Sequence, residues 1–202
     1  MGKQKNKNQA DGRPKPWYMS EDRNELLLAA LCGETERGQV LIAAEFLNTG
    51  LKWCIRLKAR NEGSEEVAKG LLGRRQVLGD FGARIDVARV FGLILAEDFE
   101  ALNTIRQIRN RFAHDAFKIR LDAKDLDKHA KTLSKYIEFR MCGAVFGDQK
   151  NPWLQALMAR GITPANSAHE TFLLGALLLF VRFGEISTAL TGGQWRNPDV
   201  RF

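Results

Sequence analysis

The chain has 202 residues, 45% of them hydrophobic and 27% charged. That suits one domain with a core large enough to fold without disulfide or metal staples, and it excludes global disorder. The net charge of +7 is uneven: residues 1–16 carry Lys3, Lys5, Lys7, Arg13 and Lys15 against Asp11 alone. Three separated cysteines, Cys32, Cys54 and Cys142, form no CxxC pair, which argues against a zinc ribbon or a disulfide framework. No apolar leader opens the chain, so it reads as a cytoplasmic protein with reduced thiols. The longest apolar run, 172–181, is about half of the ~20 residues a bilayer span needs, and no membrane partner is expected.

Taken in chain order, residues 1–19 read as a disordered basic tail, able to make weak contacts with nucleic-acid phosphates through its five cations. Ser20, followed by Glu21 and Asp22, starts a helix that stops near Gly33. Thr35 caps the next, over 36–60, with Val40, Ala43, Phe46, Leu47, Leu51 and Ile55 at three- and four-residue steps. Residues 64–82 are glycine-rich, with a helical turn expected at 67–72. A third helix starts near Asp80, its stripe formed by Ala83, Val87, Val90, Phe91 and Ile94. A fourth spans 97–114, with Ala101, Leu102, Ile105, Ile108 and Phe112 inward. Asp122 caps a fifth to about 141.

Residues 143–164 read as irregular, with a short helix at 153–160. The last helix, 168–183, is capped by Asn166 or Ser167. It is apolar nearly all round and therefore buried in the core or at a subunit interface, which makes a homodimer the expectation. Residues 185–202 read as a loosely ordered tail. No alternating strand pattern appears. The fold class is all-α: a single-domain antiparallel helix bundle over 20–184.

The informative segment is 105–114, Ile-Arg-Gln-Ile-Arg-Asn-Arg-Phe-Ala-His. At ~100° per residue, with Arg106 at zero, Asn110 lies at about 40°, Asn103 near 60° and His114 at about 80°, on one polar face. Arg109 falls near 300°, on the shoulder of the apolar face. There it must snorkel or find a carboxylate, for which Asp86 and Glu45 are the candidates. Glu45 reads as a buried ion-pair partner of Arg109 or Arg84, or else as a catalytic carboxylate. Arg84 and Arg89 read as surface residues, with Arg84 also a candidate to line a pocket with Arg109. An Arg–Asn–His set suits metal-free phosphate chemistry: a guanidinium fork for phosphate, an amide to orient, an imidazole to move protons. The same set also reads as a basic helix face ending in a histidine that complements the helix dipole. His129, among lysines, reads as solvated, and His169 as incidental. No cofactor or metal set is apparent.

Residues 109–114 resemble the R-polar-x-x-x-H motif of the HEPN superfamily. A closer resemblance is to the mannitol operon repressor family. It rests on three blocks: 36–45, Glu-Arg-Gly-Gln-Val-Leu-Ile-Ala-Ala-Glu; 78–88, Leu-Gly-Asp-Phe-Gly-Ala-Arg-Ile-Asp-Val-Ala, continuing to Phe91-Gly-Leu-Ile94; and 102–114, Leu-Asn-Thr-Ile-Arg-Gln-Ile-Arg-Asn-Arg-Phe-Ala-His. The likeness spans about 23–140 and fades beyond Gly143. It implies an all-helical regulator without its own DNA-reading module, acting through a protein partner, with Arg84, Asp86, Arg106 and Glu45 as candidate binding residues. The superfamily likeness implies the alternative: a metal-independent ribonuclease acting on RNA, its site built across a dimer. In that reading His114 is the general acid/base, Arg109 holds the scissile phosphate and Asn110 orients.

Overall fold

Thr35 begins the first described helix in the way its side chain allows. Its backbone is extended and its hydroxyl accepts from the Gly38 amide at 3.3 Å. The helix that follows, α1 (Glu36–Asn61), has an acid in its first turn and Lys58 and Arg60 in its last, matching the helix dipole. Gly63, at φ 70°, turns the chain into α2 (Glu65–Leu71). Glu65 there holds Arg56 and Arg60 of α1 at 3.6 and 3.9 Å. Next come α3 (Phe81–Val90), α4 (Ala96–His114), a 3-10 turn (Lys124–Leu126), α5 (Asp127–Cys142) and α6 (Ala168–Leu190).

The computed structural model describes residues 31, 33–73, 76–114, 120–142 and 167–192. The basic arm, the helix expected from Ser20, Cys32, the irregular stretch with its short helix at 153–160, and the last ten residues lie outside them. Among the described residues there is no strand, and the all-α bundle holds.

Direction follows from which ends meet. Gln39 and Asn61, at opposite ends of α1, reach His169 and Leu190, at opposite ends of α6. The two helices therefore lie side by side in the same sense. The α4 helix runs against α5: Asp98 meets Tyr136, Gln107 meets His129 and Arg111 meets Asp125. The core lies between α1, α4, α5 and α6, where Leu47, Leu51, Ile55, Leu102, Ile105, Phe112, Phe172 and Phe183 are almost fully buried.

Three expectations change. The last helix does not stop at 183: it continues to Leu190, because Phe183, Ile186 and Ser187 pack inward. The fifth helix begins at Asp127 after its 3-10 turn, and Asp122 accepts from Arg120 at 3.1 Å instead of capping it. The stripe of α3 is also shifted. Arg84, Ile85 and Ala88 face inward, whereas Val90 is 82% exposed and Phe91 53%.

By length and composition α6 is apolar enough to cross a membrane, yet twelve of its residues are buried in the protein, against α1 and α5 above all. A polar hub, which sequence patterning did not anticipate, ties its carboxy-terminal half to α4 and α5. Asp98 is wholly buried. It accepts from the Leu95 amide (2.9 Å), the Tyr136 hydroxyl (3.0 Å) and Arg182 Nε (3.2 Å). Glu185 then bridges Arg182 at 3.0 Å and the buried Arg140 at 2.7 Å. Burial and the charge of Asp98 push the Tyr136 phenol far above its usual range, so it stays a proton donor.

Candidate functional site: a cationic cleft between α1, α3 and α4

Arg84 organises the site. It is only 6% exposed. Its Nε donates to the Leu78 carbonyl at 2.8 Å, and its terminal nitrogens donate to Asn48 Oδ1 (2.6 Å), Gly79 O (3.2 Å) and Leu72 O (3.3 Å). One guanidinium thus staples the turn before α3 to α1. No carboxylate lies within ion-pair distance of it among the described residues. Burial pulls its pKa down, and the charges of Glu45 and Asp80 offset part of that pull. The group remains a cation, because arginine does not deprotonate in proteins.

Asp80 begins α3 by accepting from the Ala83 amide at 2.9 Å. Gly82 follows, and its missing side chain matters. A Cβ there would sit 3.1 Å from Asp80 Oδ1 and 3.3 Å from a terminal nitrogen of Arg106. Glycine therefore lets the Arg106 guanidinium of α4 lie against the first turn of α3. Arg106 Nε donates to Asn103 at 3.2 Å, which leaves its outer edge facing the cleft. One turn further along α4, Arg109 is exposed and donates to Asn110 Oδ1 at 3.1 Å. Lys52 of α1 completes the cations.

The cleft measures about 850 Å³. Glu45 and Asp80 bring two acids to it, and Leu41, Ala44, Leu72 and Phe81 form its apolar walls. A second depression of about 550 Å³ adjoins it, lined by Gln107, Asn110, Arg111, His114 and His129. Asn110 belongs to both.

The sequence-derived set is therefore partly assembled and partly split. Glu45, Arg84, Arg106, Arg109 and Asn110 share the cleft. His114 does not line it: it is exposed and borders the neighbouring depression. Asp86 lies outside both and points to solvent, because α3 turns Arg84 and Ile85 inward instead. Glu45 is exposed, not buried. It accepts from Asn48 (3.3 Å) and Thr49 (3.5 Å) and makes no ion pair with Arg109 or Arg84. The buried arginine is Arg84, not Arg109. Arg89 stays on the surface and donates to Ile94 O at 3.1 Å.

Both remaining histidines are engaged. His129 meets Gln107 at 3.1 Å and is half-buried. Burial first, then the nearby Lys128 and Arg111, push its pKa down and favour the neutral ring. His169 meets the buried Gln39, whose amide also donates to the Leu31 carbonyl. Cys54 is buried, with its thiol against Phe183 O at 3.7 Å and pushed up to about 12, which makes it inert. Among the described residues no group of three or more potential ligands is placed to hold a metal ion. Lys52, Asn48 and Thr49 escaped sequence reasoning because they lie on the polar side of a helix legible only by its apolar stripe.

No family model matches the sequence, and no curated protein matches it. The fold does have a solved likeness. It matches a chain in the X-ray structure of the MtlR–HPr complex from Escherichia coli, with a TM-score of 0.51 and 18% identity. The alignment covers 81% of this chain and 97% of that one. At that identity the likeness is one of fold. It agrees with the all-helical architecture that the resemblance to the mannitol operon repressor family implied.

Proposed function

We infer that this chain is a regulator of the mannitol operon repressor type, acting without enzymatic chemistry by docking a small partner protein. The observation that carries this reading is the fold likeness to a chain solved in complex with the protein HPr, which takes in nearly all of that chain. The site geometry agrees with it. Catalytic phosphate chemistry needs its imidazole and its phosphate-holding guanidinium around one reacting atom. Here Arg109 faces one cavity and His114 borders another. The cleft offers instead a rigid, cationic surface of the kind that steers a protein partner and fixes its orientation.

The test is a calorimetric titration of the purified chain with purified HPr, alongside an RNA incubation in EDTA with wild type and His114→Ala. A saturable complex with HPr and intact RNA support the docking reading. Absence of a complex overturns it. Cleavage that disappears in His114→Ala replaces it with the ribonuclease.

A further inference from the structure

Around the bundle many cations are neutralised, although Arg89 and the α5 lysines Lys128, Lys131 and Lys135 make no ion pair among the described residues. Arg56, Lys58, Arg60, Lys69, Arg111, Arg120, Arg140 and Arg182 all lie within ion-pair distance of carboxylates. The cleft differs in gathering cations without ion pairs around one cavity. Lys52, Arg84, Arg106 and Arg109 converge on it from three helices, and none makes an ion pair among the described residues. Glu45 and Asp80 offset part of this charge and leave the cavity net cationic, which favours an anion entering it. Their roles differ. Arg84 commits four of its five N–H groups to hydrogen bonds and contributes mainly fixed charge. Arg106 and Arg109 stand three residues apart on α4 and are therefore neighbours on its surface. Their terminal nitrogens suit forked bonds to a phosphate.

The two acids decide between an isolated phosphate ester and a nucleic-acid strand. Glu45 and Asp80 flank the same cavity. They would repel a continuous phosphate backbone, but they can accept hydroxyl or amino hydrogens of a discrete molecule. The volume of about 850 Å³ lies in the range of small-molecule sites. Phe81 gives it an aromatic wall, and Asn48 and Asn110 add neutral donors and acceptors.

We propose that the α1–α3–α4 cleft binds a small phosphate monoester, its phosphate on Arg106 and Arg109 and its polar body toward Glu45 and Asp80. The cleft is the same cationic surface read above as steering a partner protein, but phosphate binding and partner binding are measured separately, so either reading can fail without the other.

The test is calorimetry with three probes: inorganic phosphate, AMP and adenosine. The proteins are wild type, an Arg106→Gln/Arg109→Gln double variant, and a Lys128→Gln/Lys131→Gln control at exposed positions of α5. The double variant keeps Arg84 and the core, and circular dichroism confirms its folding. Inorganic phosphate and AMP are expected to bind saturably and to compete with each other. AMP gains over phosphate where the body is recognised, and adenosine alone does not bind. The double variant should weaken AMP by about tenfold or more, the loss of one or two charge-assisted bonds, while the control is unchanged. Failure of both phosphate and AMP to bind at millimolar concentration overturns the site. So does equal affinity in the double variant, or binding of adenosine as strong as that of AMP. An RNA oligonucleotide that binds through the same arginines more tightly than AMP replaces the ester with a nucleic-acid strand.

Discussion

Two arginines of the cleft differ in what they hold. Arg84 is buried and satisfies three backbone carbonyls and Asn48. Arg84→Ala strips partners from all of them, at a cost of about 2–4 kcal/mol. Arg109 is exposed and bonds only its sequence neighbour Asn110 among the described residues, so Arg109→Ala should shift stability by less than about 0.5 kcal/mol. Urea denaturation of the two variants checks this, and equal losses would contradict it. A helical wheel suggested the reverse order, because it put Arg109 on the shoulder of an apolar face. A wheel gives the angle of a residue on its own helix. It carries no information on whether a neighbouring helix covers that angle, and none covers Arg109. Arg84 was equally hard to read, since its acceptors are carbonyls of a turn that sequence marks only by its glycines.

Among the helices, Thr35, Asp80 and Ser167 were legible as starts, and each accepts an amide of its own first turn. These are local events within four residues, which is why sequence reports them well. Helix faces were legible where the helix is long. The inward apolar residues of α4 are those its periodicity indicated, though the buried Asp98 and Thr104 were not, whereas the ten residues of α3 were too few to fix the phase. Close approach between helices was not legible at all. Gly50 of α1 lies against Phe183 of α6, and an added Cβ would stand 2.8 Å from a ring carbon. Phe183 is 1% exposed and has no room to retreat. Gly50→Ala should therefore lose stability, because overpacking costs about 1–3 kcal/mol and exceeds the helix-propensity gain of about 1 kcal/mol. Gly184, the next residue on α6, has nothing within 4 Å of its added Cβ. Gly184→Ala should gain about 0.5–1 kcal/mol. Opposite shifts in thermal midpoint check the pair.

For the whole molecule, the decisive polar feature is the hub on Asp98. It joins α4 to Tyr136 and Arg182, which lie 38 and 84 residues further along the chain. In the sequence Asp98 looks like any acid in the first turn of a helix, and nothing local marks it as the junction of three helices. Asp98→Ala leaves the Leu95 amide and the Tyr136 hydroxyl without that acceptor and Arg182 with one carboxylate fewer. The expected loss is about 3–5 kcal/mol. Tyr136→Phe removes one donor and should cost about 1 kcal/mol. Chemical denaturation separates the two, and comparable losses would show that Asp98 is not the junction.

The seam between α1 and α6 bears on how the protein is made. Asn61 and Leu190 meet across 129 residues of sequence. At roughly 5–20 residues per second, the ribosome releases α6 on the order of ten seconds after α1. Throughout that interval the part of α1 that faces α6 waits without its cover, while α2, α3 and α4 can already pack on the rest of it. Until α6 emerges, the faces of α1 and α5 that it covers stay open, and its arrival closes the core.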